Sequence, residues 1–179
     1  MNLSAGLTTV SFLVMAASTR AEVADASVNG FTIKATLSIQ ASPDDVYRRI
    51  VRNVGDWWDP SHTFSGNSRN LTIEEKPTGC FCEKLPDGGG VRHMQVIYLD
   101  PGKRLVLTGA LGPLQAMAAT GTMTILLSPA DRGTRLEVTY GVLGYLPAGM
   151  NTLAAPVDGV LTGLFNRLKN YAESGVPTK

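Results

Sequence analysis

Histidine and cysteine are scarce in this chain, with two of each in 179 residues. His62 and His93 are the histidines, Cys80 and Cys82 the cysteines, and nothing spaces them as zinc ligands, so no metal and no cofactor is expected. Charge of one sign is also missing. The formal net charge is +1 and no basic stripe occurs, which leaves nucleic acid without an electrostatic footprint. No apolar run reaches the roughly 20 residues of a membrane-spanning helix, so no stable membrane insertion is expected. Gly88–Gly90 lacks the Lys-Ser/Thr of a phosphate loop and reads as a hairpin tip. Ser65-Gly66 stands alone, without the flanking glycines of a nucleophile elbow. Repeats, linkers and low-complexity segments are absent. Hydrophobic residues make up 44% of the chain, which suits a single globular domain.

The first segment reads as a leader. Leu7–Ala17, "LTTVSFLVMAA", has the length of a signal-peptide apolar core, and Thr19 and Ala21 are small residues at the positions a signal peptidase reads. The preceding "MNLSAG" lacks the usual Lys or Arg. Residues 1–21 are therefore expected to be removed, placing the protein in the periplasm or outside the cell. Residues 22–30 form an N-terminal arm and residues 175–179 a tail.

Phe31–Gln40, "FTIKATLSIQ", alternates strictly between apolar and polar and predicts a half-buried strand. "ASPDDVYRRIV" then opens a helix with Ser42 as N-cap, Pro43 at the first position and Asp45 completing a capping-box-like pattern. A second short helical turn follows in "NVGDWWDP". Six strand-like runs come next, about 69–75, 79–85, 91–99, 103–109, 120–128 and 134–143, parted by short Pro-, Gly- and Asp-rich turns. "ALGPLQAMAAT" is longer and apolar, and is the candidate gate of a cavity. From Met150 the apolar residues recur at three- and four-residue steps, including Leu153, Val157, Leu161, Leu164 and Leu168. That spacing predicts a long amphipathic helix with Pro156 in its first turn or at a kink.

With "IQASPDDVYRRIVRNVGDWW", "GCFCEKLPDGGGVRHMQVIYLDPGKRLVLTGALGPL" and a final helix ending "RLKNYAESG", the chain resembles the START-like (SRPBCC) superfamily, and within it the bacterial polyketide cyclase/dehydrase-like proteins. The resemblance spans about residues 32–173. It implies an α+β helix-grip fold: a seven-stranded curved antiparallel sheet wrapped around a long C-terminal helix, with two short helices after the first strand. The START-like domain would occupy residues 31–174. It further implies a hydrophobic cavity for lipids, sterols, polyketides or other apolar molecules, with catalysis in some members.

The stretch Gly79–Tyr98 holds the chemistry-bearing residues. If "PDGGG" is the hairpin loop, Leu85 pairs with Val91, Lys84 with Arg92 and Glu83 with His93. A repulsive Lys84/Arg92 pair belongs in water, which turns Glu83 and His93 inward. A carboxylate beside an imidazole could anchor a ligand's polar group or move a proton. A one-residue slip around the three glycines would reverse the faces. Cys80 and Cys82 share a face and read as buried free thiols in preference to a tight Cys-x-Cys disulfide. Trp57 and Trp58 read as core beneath the short helices, with the cavity mouth as the alternative.

The leading expectation is a binding module for a small hydrophobic or amphipathic molecule. Its candidate ligand-contacting residues are Phe81, Glu83, His93, Met117, Met123, Val138, Tyr140, Leu153, Val157 and Leu161. A cyclase or dehydratase with Glu83 and His93 as catalytic pair ranks second, beside an interaction domain with a filled core. The oligomeric state is left open.

Overall fold

The structure, a computed structural model, describes residues 21–177. The expected leader lies outside the described residues apart from Ala21.

Alternation builds the sheet. In β2 (Gly30–Ile39) Phe31, Ile33, Ala35, Leu37 and Ile39 are buried while Lys34, Thr36 and Ser38 face solvent. Ser42 then caps α1 (Pro43–Arg52), its hydroxyl accepting the Asp45 N–H at 3.2 Å, and Val46, Tyr47, Ile50 and Val51 form the buried face. One further turn, α2 (Val54–Trp57), follows. β3 (Leu71–Ile73), β4 (Cys80–Lys84), β5 (Gly90–Asp100), β6 (Arg104–Thr108), β7 (Ala118–Ala130) and β8 (Gly133–Tyr145) complete an antiparallel sheet with β1 (Ala21–Ser27). The strand order is β1-β2-β8-β7-β6-β5-β4-β3.

Among the described residues the sheet therefore has eight strands, one more than expected. The extra strand is β1, placed where an N-terminal arm was expected. Beyond Ala21 every residue of β1 is exposed, so an edge strand held by backbone pairing to β2 carries no apolar alternation to read.

The last helix, α3 (Ala154–Ser174), follows a 3-10 turn at Met150–Leu153. Pro156 lies in its first turn, where a missing N–H costs no hydrogen bond. Gly175 ends it at φ 78°, with its N–H on the Tyr171 carbonyl at 2.9 Å. Leu161, Leu164, Phe165, Leu168 and Ala172 are buried against the inner face of the sheet. Three contacts tie the short helices to their neighbours: Arg167 Nε donates to the Trp57 carbonyl at 2.9 Å, Tyr171 hydroxyl to Asp56 at 2.9 Å, and Trp57 Nε1 to the Arg49 carbonyl at 2.9 Å.

The β4–β5 hairpin departs from the expected register. Glu83 pairs with Val91, Cys82 with Arg92 and Lys84 with Gly90. The turn closes one residue earlier on each strand because Leu85 N–H bonds to the Gly89 carbonyl around a 3-10 turn with Asp87 and Gly88 at φ 60° and 80°. The combined slip is two residues, so the faces are kept. Lys84 and Arg92 do not meet. A bulge then lets Phe81 pair with Met94 and leaves His93 as the extra residue. His93, Met94 and Val96 are all buried as a result. A second bulge between Val96 and Tyr98 turns both Ile97 and Tyr98 outward, at 51% and 47% exposure.

Cys80 and Cys82 are joined as a disulfide on the outer side of β4, half-buried, in place of the free thiols expected. Their Cα atoms are 5.3 Å apart. An extended strand would hold them about 6.7 Å apart, and the irregular pairing at Phe81/Cys82 contracts it.

Candidate functional site

Between α3 and the sheet lies a cavity of about 370 Å³. Three walls enclose it. The N-terminal half of α3 and the turn before it contribute Leu153, Pro156, Val157, Val160, Leu161 and Leu164. The β6–β7 connection, with its 3-10 turn Gly112–Ala116, contributes Leu111, Pro113, Leu114 and Met117. The segment after α2 contributes Trp58 and residues 61–64, and Tyr140 of β8 lines the interior. Among the described residues, no Asp, Glu, Lys or Arg lines this cavity, and His62, exposed at its edge, is the one titratable side chain there besides Tyr140.

The segment after α2 holds its shape by local bonds. Asp59 accepts the Ser61 N–H at 2.9 Å, and Trp58 Nε1 donates to the His62 carbonyl at 3.0 Å. Trp58 stacks edge-on to Phe81, with ring centres 5.4 Å apart. Trp57, by contrast, is buried core.

Tyr140 is fully buried. Its hydroxyl accepts the Leu111 N–H at 3.1 Å and faces the Gly109 carbonyl at 3.4 Å. Burial pushes its pKa up to about 12, with the Leu111 N–H pulling the other way. Gly109 has φ 141°, and a Cβ there would lie 2.8 Å from the His93 carbonyl. A glycine is needed where β6 passes so close to the bulge.

The candidate residues therefore divide. Met117, Tyr140, Leu153, Val157 and Leu161 line the cavity. Phe81 and Met123 border a second space of about 20 Å³, nearly filled, which shares Leu161. Val138 is 3% exposed and packs in the core. Glu83 and His93 line neither space; they sit behind the cavity's edge, at 1% and 4% exposure.

The Glu83–His93 pair has a full set of partners. His93 Nε2 is 2.9 Å from Glu83 Oε2. The same carboxylate accepts the N–H of Phe64 at 3.1 Å and the N–H of Ser65. Phe64 stacks on the imidazole at 5.9 Å, and Phe81 lies on it at 5.2 Å. Burial by itself would raise the Glu83 pKa, but hydrogen bonds from Ser65, Phe64 and His93 outweigh it and hold the carboxyl below its usual range. Burial pushes the His93 pKa down, and Glu83 restores part of it. On the other side of the ring, Gln115 Nε2 is 3.3 Å from His93 Nδ1 and donates to the Arg92 carbonyl at 3.1 Å.

Phe64 and Gln115 were not singled out in the sequence. Phe64 is a lone aromatic in a polar run, 55% exposed. One compositional signal does mark the region: residues 105–130 and 138–157 contain no Asp, Glu, Lys or Arg. These two stretches supply the β6–β7 connection, Tyr140 and the start of α3.

In outline the chain is a helix-grip-like α+β protein, with an antiparallel sheet, a long C-terminal helix and an apolar cavity between them. No protein-family model matches it, and no curated protein matches it in sequence. Solved structures do share its fold. A conserved protein of unknown function from Enterococcus faecalis is similar with a TM-score of 0.59 at 18% identity, over 90% of this chain and 81% of that one. An uncharacterised protein from Rhizobium leguminosarum matches with a TM-score of 0.59 at 18% identity, over 87% of this chain and 97% of that one. A protein of the dynemicin biosynthetic locus matches with a TM-score of 0.55 at 16% identity, over 82% of this chain and 48% of that one. At these identities the likeness is one of fold.

Proposed function

We propose that this chain is an exported START-like protein that binds a small, uncharged apolar or amphipathic molecule in the cavity between sheet and α3. The observation that carries the reading is the cavity itself: about 370 Å³ walled mainly by aliphatic and aromatic side chains, with no Asp, Glu, Lys or Arg among the described residues that line it. A charged ligand group would lose its water there and find no counter-ion. An uncharged molecule avoids that ionic penalty, and burying its apolar surface is worth about 25 cal/mol per Å² before the costs of association. Met117 supports the reading, as a flexible side chain that adapts to irregular apolar shapes. The resemblance of the sequence to the polyketide cyclase/dehydrase-like proteins directs the search towards polyketide-like molecules. Export rests on the apolar run 7–17 and the small residues Thr19 and Ala21.

Binding ranks ahead of a cyclase or dehydratase activity on geometric grounds. Both ring nitrogens of His93 have protein partners, and neither His93 nor Glu83 lines the cavity.

Native mass spectrometry of the purified protein, followed by extraction, tests the proposal. A bound neutral molecule at near-stoichiometric level is the expected result. An empty protein that also fails to take up N-phenyl-1-naphthylamine, a neutral apolar dye, would overturn it.

A further inference from the structure

The buried polar cluster joins two parts of the cavity's edge that are far apart in sequence. On one side, the Phe64 and Ser65 N–H groups end on the Glu83 carboxylate. On the other, Gln115 in the turn Gly112–Ala116 reaches His93 Nδ1 and the Arg92 carbonyl. Glu83 and His93 connect the two across β4 and β5 at 2.9 Å. We propose that Glu83, His93 and Gln115 form a pH-sensitive latch over the cavity, in which proton uptake by His93 releases the Gln115 side. The proposal deepens the binding reading and rests on it for its functional meaning.

Hydrogen-bond complementarity sets the protonation state of the closed latch. Glu83 is ionised, so the His93 nitrogen facing it, Nε2, carries a proton. The Arg92 carbonyl requires a donor from Gln115, which fixes the amide with its nitrogen towards His93. His93 Nδ1 must then be an unprotonated acceptor. The closed state is one neutral tautomer with both nitrogens used.

A second proton has one place to go, Nδ1, where it meets the N–H of Gln115. Two donors face each other and the bond is lost. Turning the amide over does not repair the cluster, because its oxygen would then confront the Arg92 carbonyl. The Glu83 side responds in the opposite sense, since an imidazolium binds the carboxylate more tightly. Acid therefore frees the Gly112–Ala116 turn and leaves the Phe64–Ser65 side held.

The groups around the ring keep this response local. Glu83 of β4 is the charged side chain against it among the described residues. The segment above it presents Phe64, β4 also presents Phe81, and the 112–116 turn presents the uncharged Gln115. Arg92, next along β5, is exposed.

Hydrogen exchange on the wild-type protein, corrected for intrinsic rates, at about pH 7.5 and about pH 5.5 tests the latch. Amides of residues 112–118 are expected to lose protection several-fold in acid, while those of 64–66 keep theirs. In Gln115→Met, which should fold because Gln115 is not core, residues 112–118 are expected to be open at both pH values. Unchanged protection in the wild type, an equal loss in both segments, or a full acid response in Gln115→Met would each overturn the latch. The release rate of N-phenyl-1-naphthylamine adds the functional readout and should rise in acid for the wild type alone. A protein that is purified empty and never binds the dye would defeat the binding reading, while exchange would still decide the latch.

Discussion

The hydroxyl of Tyr140 accepts the N–H of Leu111 at 3.1 Å, so a buried residue of β8 holds the start of the β6–β7 connection from beneath. Gln115 holds the far end of the same connection through His93. The apolar segment that covers the cavity is thus pinned at two points, both polar and both built on neighbouring strands.

Tyr140→Phe keeps the ring and removes the first pin. The Leu111 N–H loses its partner, which should cost about 1–3 kcal/mol in urea denaturation. A spectroscopic titration gives an independent check. Tyr140 should ionise late, near the value of about 12 to which burial raises it, and the variant should lack that step.

Glu83 should be far less tolerant than its neighbours on β4. Glu83→Ala leaves His93 and the N–H groups of Phe64 and Ser65 without their acceptor inside the protein, at an expected cost of about 3–5 kcal/mol. Glu83→Gln retains an acceptor oxygen and should lose less. Equal stability of Glu83→Ala and wild type in denaturant titration would refute the buried network.

Stability should fall with acid in two stages. The folded pKa of His93 lies below its ordinary 6.5, because burial disfavours the imidazolium. The unfolded chain therefore takes up the proton first, and stability is lost as pH falls from about 6.5 towards the folded value. Glu83, also depressed, contributes stability that is present above its ordinary 4.5 and lost as pH falls through its lower folded value. Thermal unfolding across pH should show the first stage in the wild type and not in His93→Gln.

The cavity wall can be altered in both directions. Leu161 borders both interior spaces and is 3% exposed, so Leu161→Ala should enlarge them and cost about 2–5 kcal/mol. Val157 is half-buried on the same helix face, and Val157→Trp should fill the cavity. Its affinity for N-phenyl-1-naphthylamine should drop about tenfold or more, a change of ~1.4 kcal/mol per factor of ten. Unaltered dye binding in Val157→Trp would place the dye elsewhere.

Much of the scaffold was legible before folding, because periodicity reports which residues face a core. The alternation in Phe31–Ile39, the cap at Ser42 and the three- and four-residue steps of Leu161, Leu164 and Leu168 each carry their own local signal. β1 carried none, since an edge strand exposed beyond Ala21 shows no pattern. In β5 a regular strand would put Val91 and Ile97 on one face and Met94, Val96 and Tyr98 on the other, and two bulges resolve the conflict: each shifts the alternation by one residue, a change written in backbone pairing.

The sequence by itself determined the order of strands and helices from β2 onward, the apolar face of α3 and the pairing of Glu83 with His93 as a chemical possibility. Tertiary structure alone decided where that pair lies. The turn at Leu85–Gly89 and the bulge at His93 put it behind the cavity's edge, and Phe64 and Gln115 reach it from loops 19 and 22 residues from their partners. Such contacts depend on how strands stack in space, and local spacing along the chain does not encode them.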